Sequence, residues 1–165
     1  MKKTTDKGNN QDDVKATVPV AEYNEFLSGL ILTGIGLDSV LTQVRNRQGI
    51  QSAETLIPQI AAKAQYESHE HHGKHYAAVF HEFTVVIPVN DEPAFFLQFT
   101  FQFDYETKKP FTPELFEIFK QMVLPIQASP FIREFIHNMM SRMAVPPMVL
   151  PLIKSPHLGD GPGPS

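Results

Sequence analysis

The chain has 165 residues and a formal net charge of −4 at pH 7, from 14 Lys and Arg and 18 Asp and Glu. Its length suits one domain with a substantial core, and 42% hydrophobic with 19% charged residues argue against a disordered or membrane-embedded chain. The mild acidity argues against nucleic-acid binding, and the lack of cysteine excludes disulfides and thiolate metal sites and fits a reducing cytoplasm.

Both ends of the chain are expected to be disordered tails. Residues 1–18 are polar and aperiodic, and residues 154–165 are rich in proline and glycine with little to bury. The folded domain is therefore expected over residues 19–153. Its longest apolar stretch, Ala144–Ile153, is too short and too rich in proline to span a bilayer, so no membrane insertion is expected.

The first half of this domain has the residue patterns of β-strands. The first predicted strand, Leu30–Val40, is apolar and partly alternating, and Gly34 and Gly36 within it indicate a bulge. A polar loop is expected over Arg45–Thr55. Two further strands are expected at residues 59–67 and 76–89.

The fourth predicted strand has the strongest pattern in the chain. From Phe95 to Glu106 large apolar residues alternate with polar ones, a period of two that indicates a half-buried strand. Burial of its apolar face contributes roughly 10 kcal/mol of gross driving force. That face carries Phe95, Leu97, Phe99, Phe101, Phe103 and Tyr105.

Two helices are expected after the strands. Thr112 is suited to cap the first helix, and Pro125 is expected to end it. The second is expected to begin with Ser129 as its cap and Pro130 in its first turn, and to stop before Pro146. Four antiparallel strands followed by two helices that pack on the sheet predict an α+β fold.

The chain contains fragments of enzyme motifs, and each fragment lacks a residue or a neighbour that the chemistry requires. Gly34 and Gly36 lack the third glycine of a dinucleotide-binding turn, because Ser39 stands at that position. Asp104 and Glu106 share a strand face without a neighbouring nucleophile or substrate cradle.

A serine triad is also not indicated, because no carboxylate has a defined place beside His137 and either Ser129 or Ser141. The chain is therefore expected not to be an enzyme, and no cofactor is expected.

A cluster of histidines marks the turn between the second and third predicted strands. A three-residue loop at 72–74 would place His71 opposite His75, with His69 on the same side. Three imidazoles in that arrangement could hold a divalent metal ion. Because the sequence defines no acidic residues to support such a site, we expect a solvated hairpin tip and no metal.

The predicted domain carries more apolar surface than a core of its size needs. Part of the excess is expected to form an oligomer interface. The other interpretation is a groove for apolar segments of other chains, since Met and Phe surfaces repack around varied partners.

The second predicted helix and the segment after it resemble the SecB family of protein-export chaperones. The resemblance extends over about Leu30–Ile153, and the strand order followed by two helices agrees with it. The matching segments are Pro130–Ile136, Ser141-Arg142, Val145–Leu150, LILTGIGLD in the first strand and AFFLQF in the fourth.

This resemblance implies an ATP-independent holdase of the bacterial cytoplasm. It implies a homotetramer, a dimer of dimers, that binds unfolded preproteins and passes them to the SecA motor without nucleotide or metal. The implied client groove is lined by Ile50, Leu56, Ile57, Phe131 and Phe135. The implied contact between dimers involves Leu97, Phe99 and Phe101.

Several positions depart from the family pattern. Leu56 stands where the family often has a tryptophan, and the acidic motor-docking face keeps Asp38 but has Gly34 and Gln98 at two other positions. Two alternatives therefore stay open. One is a SecB-like chaperone of an antitoxin, and the other is an oligomeric scaffold or small-ligand protein that uses the fold without clients.

Overall fold

A computed structural model describes residues 18–148, so the predicted tails, apart from residue 18, lie outside the described residues. None of the helices found between residues 18 and 148 has the length and the apolar composition of a membrane span. In chain order the elements are α1 (Val20–Ser28), β1 (Ile31–Val44), α2 (Arg47–Ser52), β2 (Gln59–His71), β3 (Lys74–Val89), β4 (Glu92–Thr107), α3 (Pro113–Met122) and α4 (Leu124–Arg142).

The four strands form one antiparallel sheet in the order β1-β4-β3-β2. This confirms the predicted α+β architecture, with two C-terminal helices on the face that we call the inner face. The alternation predicted for β4 is also confirmed, because every second residue from Phe95 to Tyr105 is buried. Phe99 stacks on Phe83 of β3, with ring centroids 5.6 Å apart.

The strand β1 is bulged twice, where the glycines in its sequence predicted one bulge. The pairing with β4 shifts between Leu32 and Gly34 and again between Leu37 and Ser39. One extra residue stands in each interval and raises the local twist.

Two helices were missed by the sequence analysis because each buries only one side chain and so shows no apolar period. In α1, Phe26 is buried and its ring meets Phe111 edge-on at 4.8 Å. The helix α2 lies inside the predicted loop. The Asn46 side chain caps it by accepting a hydrogen bond from the Gly49 N–H at 2.8 Å.

The predicted boundary between the last two helices is wrong. Thr112 does cap α3, since its hydroxyl oxygen accepts from the Leu115 N–H. However, α4 begins at Leu124, so Pro125 lies in its first turn, where a missing N–H is harmless. Ser129 and Pro130, predicted to start this helix, lie within it.

The end of α4 is formed by backbone hydrogen bonds rather than by the prolines that follow. Ala144 adopts a positive φ of 52°. Its N–H donates to the Ser141 carbonyl at 3.1 Å, and the Val145 N–H donates to the Met140 carbonyl at 2.9 Å. This pair of bonds is a Schellman motif, and buried Val145 and Met140 supply its apolar contact.

The helix α4 follows β4 along the inner face and reaches β1 at its end. Near the start of the helix, the Tyr105 hydroxyl of β4 forms a hydrogen bond with the Gln127 side chain at 2.7 Å. At the end of the helix, the Thr42 hydroxyl of β1 forms one with the Met143 sulfur at 3.0 Å. Five residues at intervals of four form its buried stripe. They are Leu124, Ala128, Ile132, Ile136 and Met140.

This cover buries the three residues that were predicted to form the contact between dimers. Leu97, Phe99 and Phe101 are at most 8% exposed, because they form the core of one protomer. The helices cover β3 and β4 but leave inner-face side chains of both edge strands open. Those open side chains include Leu32, Leu37 and Val40 on β1, and Ile60 on β2.

Candidate functional site

An open apolar strip lies between β1 and α4. Leu37 and Val40 pair with Phe101 and Phe99 of β4, so their side chains point to the inner face beside the helix. They are 45% and 46% exposed. On the helix side, Phe131 is 38% exposed and Phe135 is partly buried. We call the surface formed by Leu37, Val40, Phe131 and Phe135 the β1–α4 groove.

The helical side of the groove follows from the spacing of its phenylalanines. Phe131 and Phe135 are four residues apart and therefore share one face of α4, next to its buried stripe. The Phe135 ring lies 5.7 Å from that of Phe101, and the Phe131 ring lies 6.4 Å from that of Phe103. Each ring is thus fixed against β4 on one side and accessible on the other.

One end of the groove is closed by hydrogen bonds. The Thr42 hydroxyl lies within hydrogen-bond distance of both the Phe96 carbonyl, at 3.1 Å, and the Met143 sulfur. The Arg47 guanidinium donates to the Met143 carbonyl at 2.7 Å and ties α2 to the end of α4. Because the four lining side chains are hydrocarbon, the groove suits apolar segments rather than ions.

The structure brings together only two of the five residues predicted to bind clients. Phe131 and Phe135 line the groove. Ile50 is only 2% exposed and packs into the core from α2, so it does not line the groove. Leu56 is partly buried against the core, and Ile57 is 70% exposed.

Leu56 and Ile57, in the loop between α2 and β2, lie at the opposite end of the sheet from Phe131. Backbone N–H groups just before α2 donate to the Ala94 carbonyl at the start of β4. Phe131 contacts Phe103, nine residues along β4, a distance of about 30 Å at the rise of a strand. The sequence analysis did not predict the β1 residues of the groove, Leu37 and Val40. The one signal for an exposed apolar surface on β1 was that apolar residues occur on both faces of this strand, as in the neighbours Val40 and Leu41.

Asp38, the predicted motor-docking residue, is exposed in the second bulge of β1. It lines a hollow of about 300 Å³ on the outer face of the sheet, together with Thr100 and Glu82. Hydrogen bonds from Lys63 and Gln98 hold the pKa of Glu82 below its usual range. The Lys63 ammonium lies 3.0 Å from that carboxylate.

The predicted loop of the histidine hairpin is wrong by one residue. The turn contains only His72 and Gly73, with φ values of 50° and 74°, as in a type I′ turn. His71 therefore pairs with Lys74 rather than with His75. Instead, His69 stacks on Tyr76 at 5.4 Å, and the His75 Nδ1 lies 3.9 Å from a Glu70 carboxylate oxygen.

The three imidazoles therefore do not converge as that loop implied. Across residues 18–148, no group of three or more His, Asp or Glu side chains is arranged to hold a metal ion.

No protein-family model and no curated protein sequence matches the chain. Among solved structures, the fold is similar to that of a SecB-like chaperone of Mycobacterium tuberculosis in complex with a ChAD peptide from the HigA1 antitoxin. The TM-score is 0.66 at 16% identity, over 79% of this chain and 94% of that chain. A protein of unknown function from Streptococcus agalactiae gives a TM-score of 0.41 at 13% identity, over 74% of this chain and 97% of that chain. The first comparison shows that this chain has a SecB-like fold, which confirms the fold implied by the sequence resemblance.

Proposed function

We propose that the protein is a molecular chaperone that holds unfolded polypeptides in the β1–α4 groove without using nucleotide. The observation that carries the proposal is the open pair Leu37 and Val40 beside the two phenylalanines of α4. The inner-face side chains of β4 are all buried, whereas these two side chains of β1 remain exposed to water. Weak apolar contacts spread along an extended chain suit varied clients better than one tight pocket does.

The fold comparison supports this proposal. The similar mycobacterial protein is a SecB-like chaperone that was solved with a peptide bound. A polypeptide ligand therefore agrees with both the exposed groove and the fold.

The test is suppression of aggregation by the full chain. We expect the wild-type protein, at equimolar ratio, to slow aggregation of several unrelated unfolded proteins. The double substitution Leu37→Ser and Val40→Ser should weaken binding of a reduced, unfolded test protein about tenfold or more. Ile126→Ser is the matched control, since Ile126 lies outside the groove on α4 and is 61% exposed.

The alternative of a scaffold or small-ligand protein makes the opposite prediction for that assay. If the wild-type protein leaves aggregation of all these clients unchanged, the chaperone function is wrong. Circular dichroism of both variants serves to separate lost binding from lost folding.

The proposal includes assembly of the chain into a homotetramer, with its contacts moved to β1. This strand is an edge of the sheet and is 14 residues long, and about every second residue points its backbone N–H and C=O to the free side. Ile31 and Leu41 add exposed apolar side chains on its outer face. An edge of this length that is apolar on its outer face favours pairing with another chain, and closed symmetry is the usual outcome.

The destination of the client distinguishes two versions of the proposal. In one version, the clients are preproteins for the Sec pathway, and Asp38 helps to dock the SecA motor. In the other version, the client is an antitoxin, as the peptide in the mycobacterial complex favours. Binding of purified SecA that is lost on Asp38→Asn would support the first version, and absence of SecA binding would contradict it.

A further inference from the structure

The sequence continues past the described residues with a short apolar segment. Residues 149–153 have the sequence VLPLI, and Lys154 follows them. Pro151 has a fixed φ and biases Leu150 before it toward extended backbone. An extended run of hydrocarbon side chains is the kind of ligand that the β1–α4 groove is proposed to hold. We call residues 149–153 the VLPLI segment.

The described part of the chain leads to this segment from the closed end of the groove. At that end, the Thr42 hydroxyl meets the Met143 sulfur, and the Arg47 guanidinium donates to the Met143 carbonyl. Beyond Met143, Val145 is buried and Met148 is packed against the core, so the chain stays against the domain as far as residue 148. The VLPLI segment therefore follows a stretch that is anchored beside the groove.

The length of the VLPLI segment matches that of the groove wall on β1. This wall extends from Leu37 to Thr42, and these residues pair with Phe101 and Leu97 of β4. Those two partners are four residues apart, about 13 Å at the rise of a strand. The first and last residues of the VLPLI segment are also four residues apart. An extended segment that starts beside Thr42 would therefore end beside Leu37.

The charges at the open end of the groove suit the residue that follows the segment. Asp38 is exposed next to Leu37. Glu134 is exposed on α4, three residues from Phe131 and on the same side of the helix. Lys154 would reach this end directly after the segment fills the groove. Its ammonium group would then lie near two carboxylates, which adds a modest, salt-dependent attraction to the apolar contacts.

The hollow on the other side of the helices suits the segment less well. It has a volume of about 500 Å³ and is lined by Lys63 and Lys120, together with His81 of β3, a buried histidine that is 7% exposed. Each of these lysines is already paired with a glutamate. Lys154 would have to compete with them for those carboxylates, so the charges favour the β1–α4 groove.

We propose that the VLPLI segment of the same chain fills the β1–α4 groove when no client is bound, and that a client has to displace it. The inference rests on the proposed chaperone function and adds the regulation of its site. Because the segment is tethered close to the groove, its effective concentration is on the order of millimolar. Contacts too weak to hold a free peptide therefore keep the groove filled, and a client must offer a longer or more apolar run to enter.

The test locates the segment with a nitroxide spin label, which broadens the nuclear magnetic resonance signals of nearby groups. The chain has no cysteine, so Ser155→Cys gives the isotope-labelled full chain a single attachment site just past Lys154. Without any client, we expect strong broadening at Leu37 and Phe131 and weaker broadening at Thr42. Absence of broadening, or broadening confined to α2 or to the β2 side of the helices, would overturn the proposal.

A mixed sample identifies the chain that supplies the segment. Isotope-labelled protein without the spin label is mixed with spin-labelled protein of natural isotope abundance. We expect the broadening at Leu37 and Phe131 to be much weaker in this mixture. Equal broadening would show that the segment comes from a second copy and would contradict the assignment to the same chain.

Two pairs of substitutions test whether the segment competes with clients. Leu150→Ser with Leu152→Ser should abolish the broadening and raise the affinity for a reduced, unfolded test protein about fivefold, since a groove that is mostly filled binds with reduced apparent affinity. Leu158→Ser is the matched control beyond the segment and should change neither result. Leu37→Ser with Val40→Ser should abolish the broadening from the groove side. Lost broadening without a gain in client affinity would contradict competition.

Failure of this inference is distinguishable from failure of the chaperone function. The spin label is read without a client, so it locates the segment even if the protein protects no unfolded chain. Conversely, a segment that stays away from the groove leaves the effect of the Leu37 and Val40 substitutions on client binding to be measured independently. Circular dichroism should stay native for every variant.

Discussion

The ring of Phe135 on α4 lies 4.7 Å from the ring of Phe99 at the centre of the sheet. One protomer therefore covers its own aromatic strand, and Phe99 is fully buried. In the proposed homotetramer, contacts between copies would therefore use other surfaces, and the exposed β1 edge is the best candidate.

This relationship makes Phe99→Asp a test of folding rather than of assembly. We expect the variant to lose about 3–5 kcal/mol of stability or more, because it removes a buried ring and buries a charge. Leu41→Asp, on the exposed outer face of β1, should instead yield smaller assemblies that keep native circular dichroism. Urea unfolding and light scattering measure the two effects. A folded Phe99→Asp protein that only dissociates would restore the interface predicted from the sequence.

Client binding should show the thermodynamic signature of apolar burial. If the groove captures hydrocarbon side chains, calorimetry should give a negative heat-capacity change on binding of an unfolded polypeptide. The affinity should also persist between low and moderate salt, because screening weakens mainly charge-driven contacts. A steep loss of affinity with salt would show that charge, rather than the groove, drives capture.

The buried histidine predicts a specific dependence of stability on pH. The pKa of His81 falls from 6.5 to about 4 on folding, so the unfolded chain binds its proton more readily. The stability contributed by the neutral form is present above pH 6.5 and is lost as the pH falls toward 4. The linked loss amounts to about 3 kcal/mol. Urea unfolding at a series of pH values should show this loss for the wild type and a smaller one for His81→Phe.

The corrected start of α4 predicts that Pro130→Ala is stabilising. Inside a helix the proline lacks the N–H that would bond the Ile126 carbonyl, and alanine restores that bond. We expect the free energy of unfolding to rise by about 1–3 kcal/mol. At a first-turn position, as the sequence predicted, the same change would give no such gain. Chemical denaturation of the two proteins distinguishes these positions.

The sequence predicted the elements that have a clear period or a suitable cap. Alternation revealed β4, and Thr112 marked the start of α3. Pro125 misled the prediction because proline both follows one helix and fits the first turn of the next, and the local pattern does not separate these roles.

The site was harder to predict than the fold. The phenylalanines of α4 were found through the family resemblance. The proposed role of Leu37 and Val40 depends on β1 being an edge strand beside β4, and on the helices leaving these two side chains uncovered. Strand order and helix cover arise from contacts between residues that are distant in the chain, so no local pattern contains them. In the sequence, His81 is only one polar residue among the alternating apolar residues of β3, so its burial was not predicted.

The hydrogen bond between Thr42 and Met143 also limits the length of what the groove can hold. Phe131 and Met143 are twelve residues apart on α4, about 18 Å at the rise of a helix. An extended strand spans that distance with five or six residues, at about 3.3 Å each. In the proposed function, the groove would therefore hold only a short apolar run of a client. A longer run would have to continue past Phe131, beyond the groove.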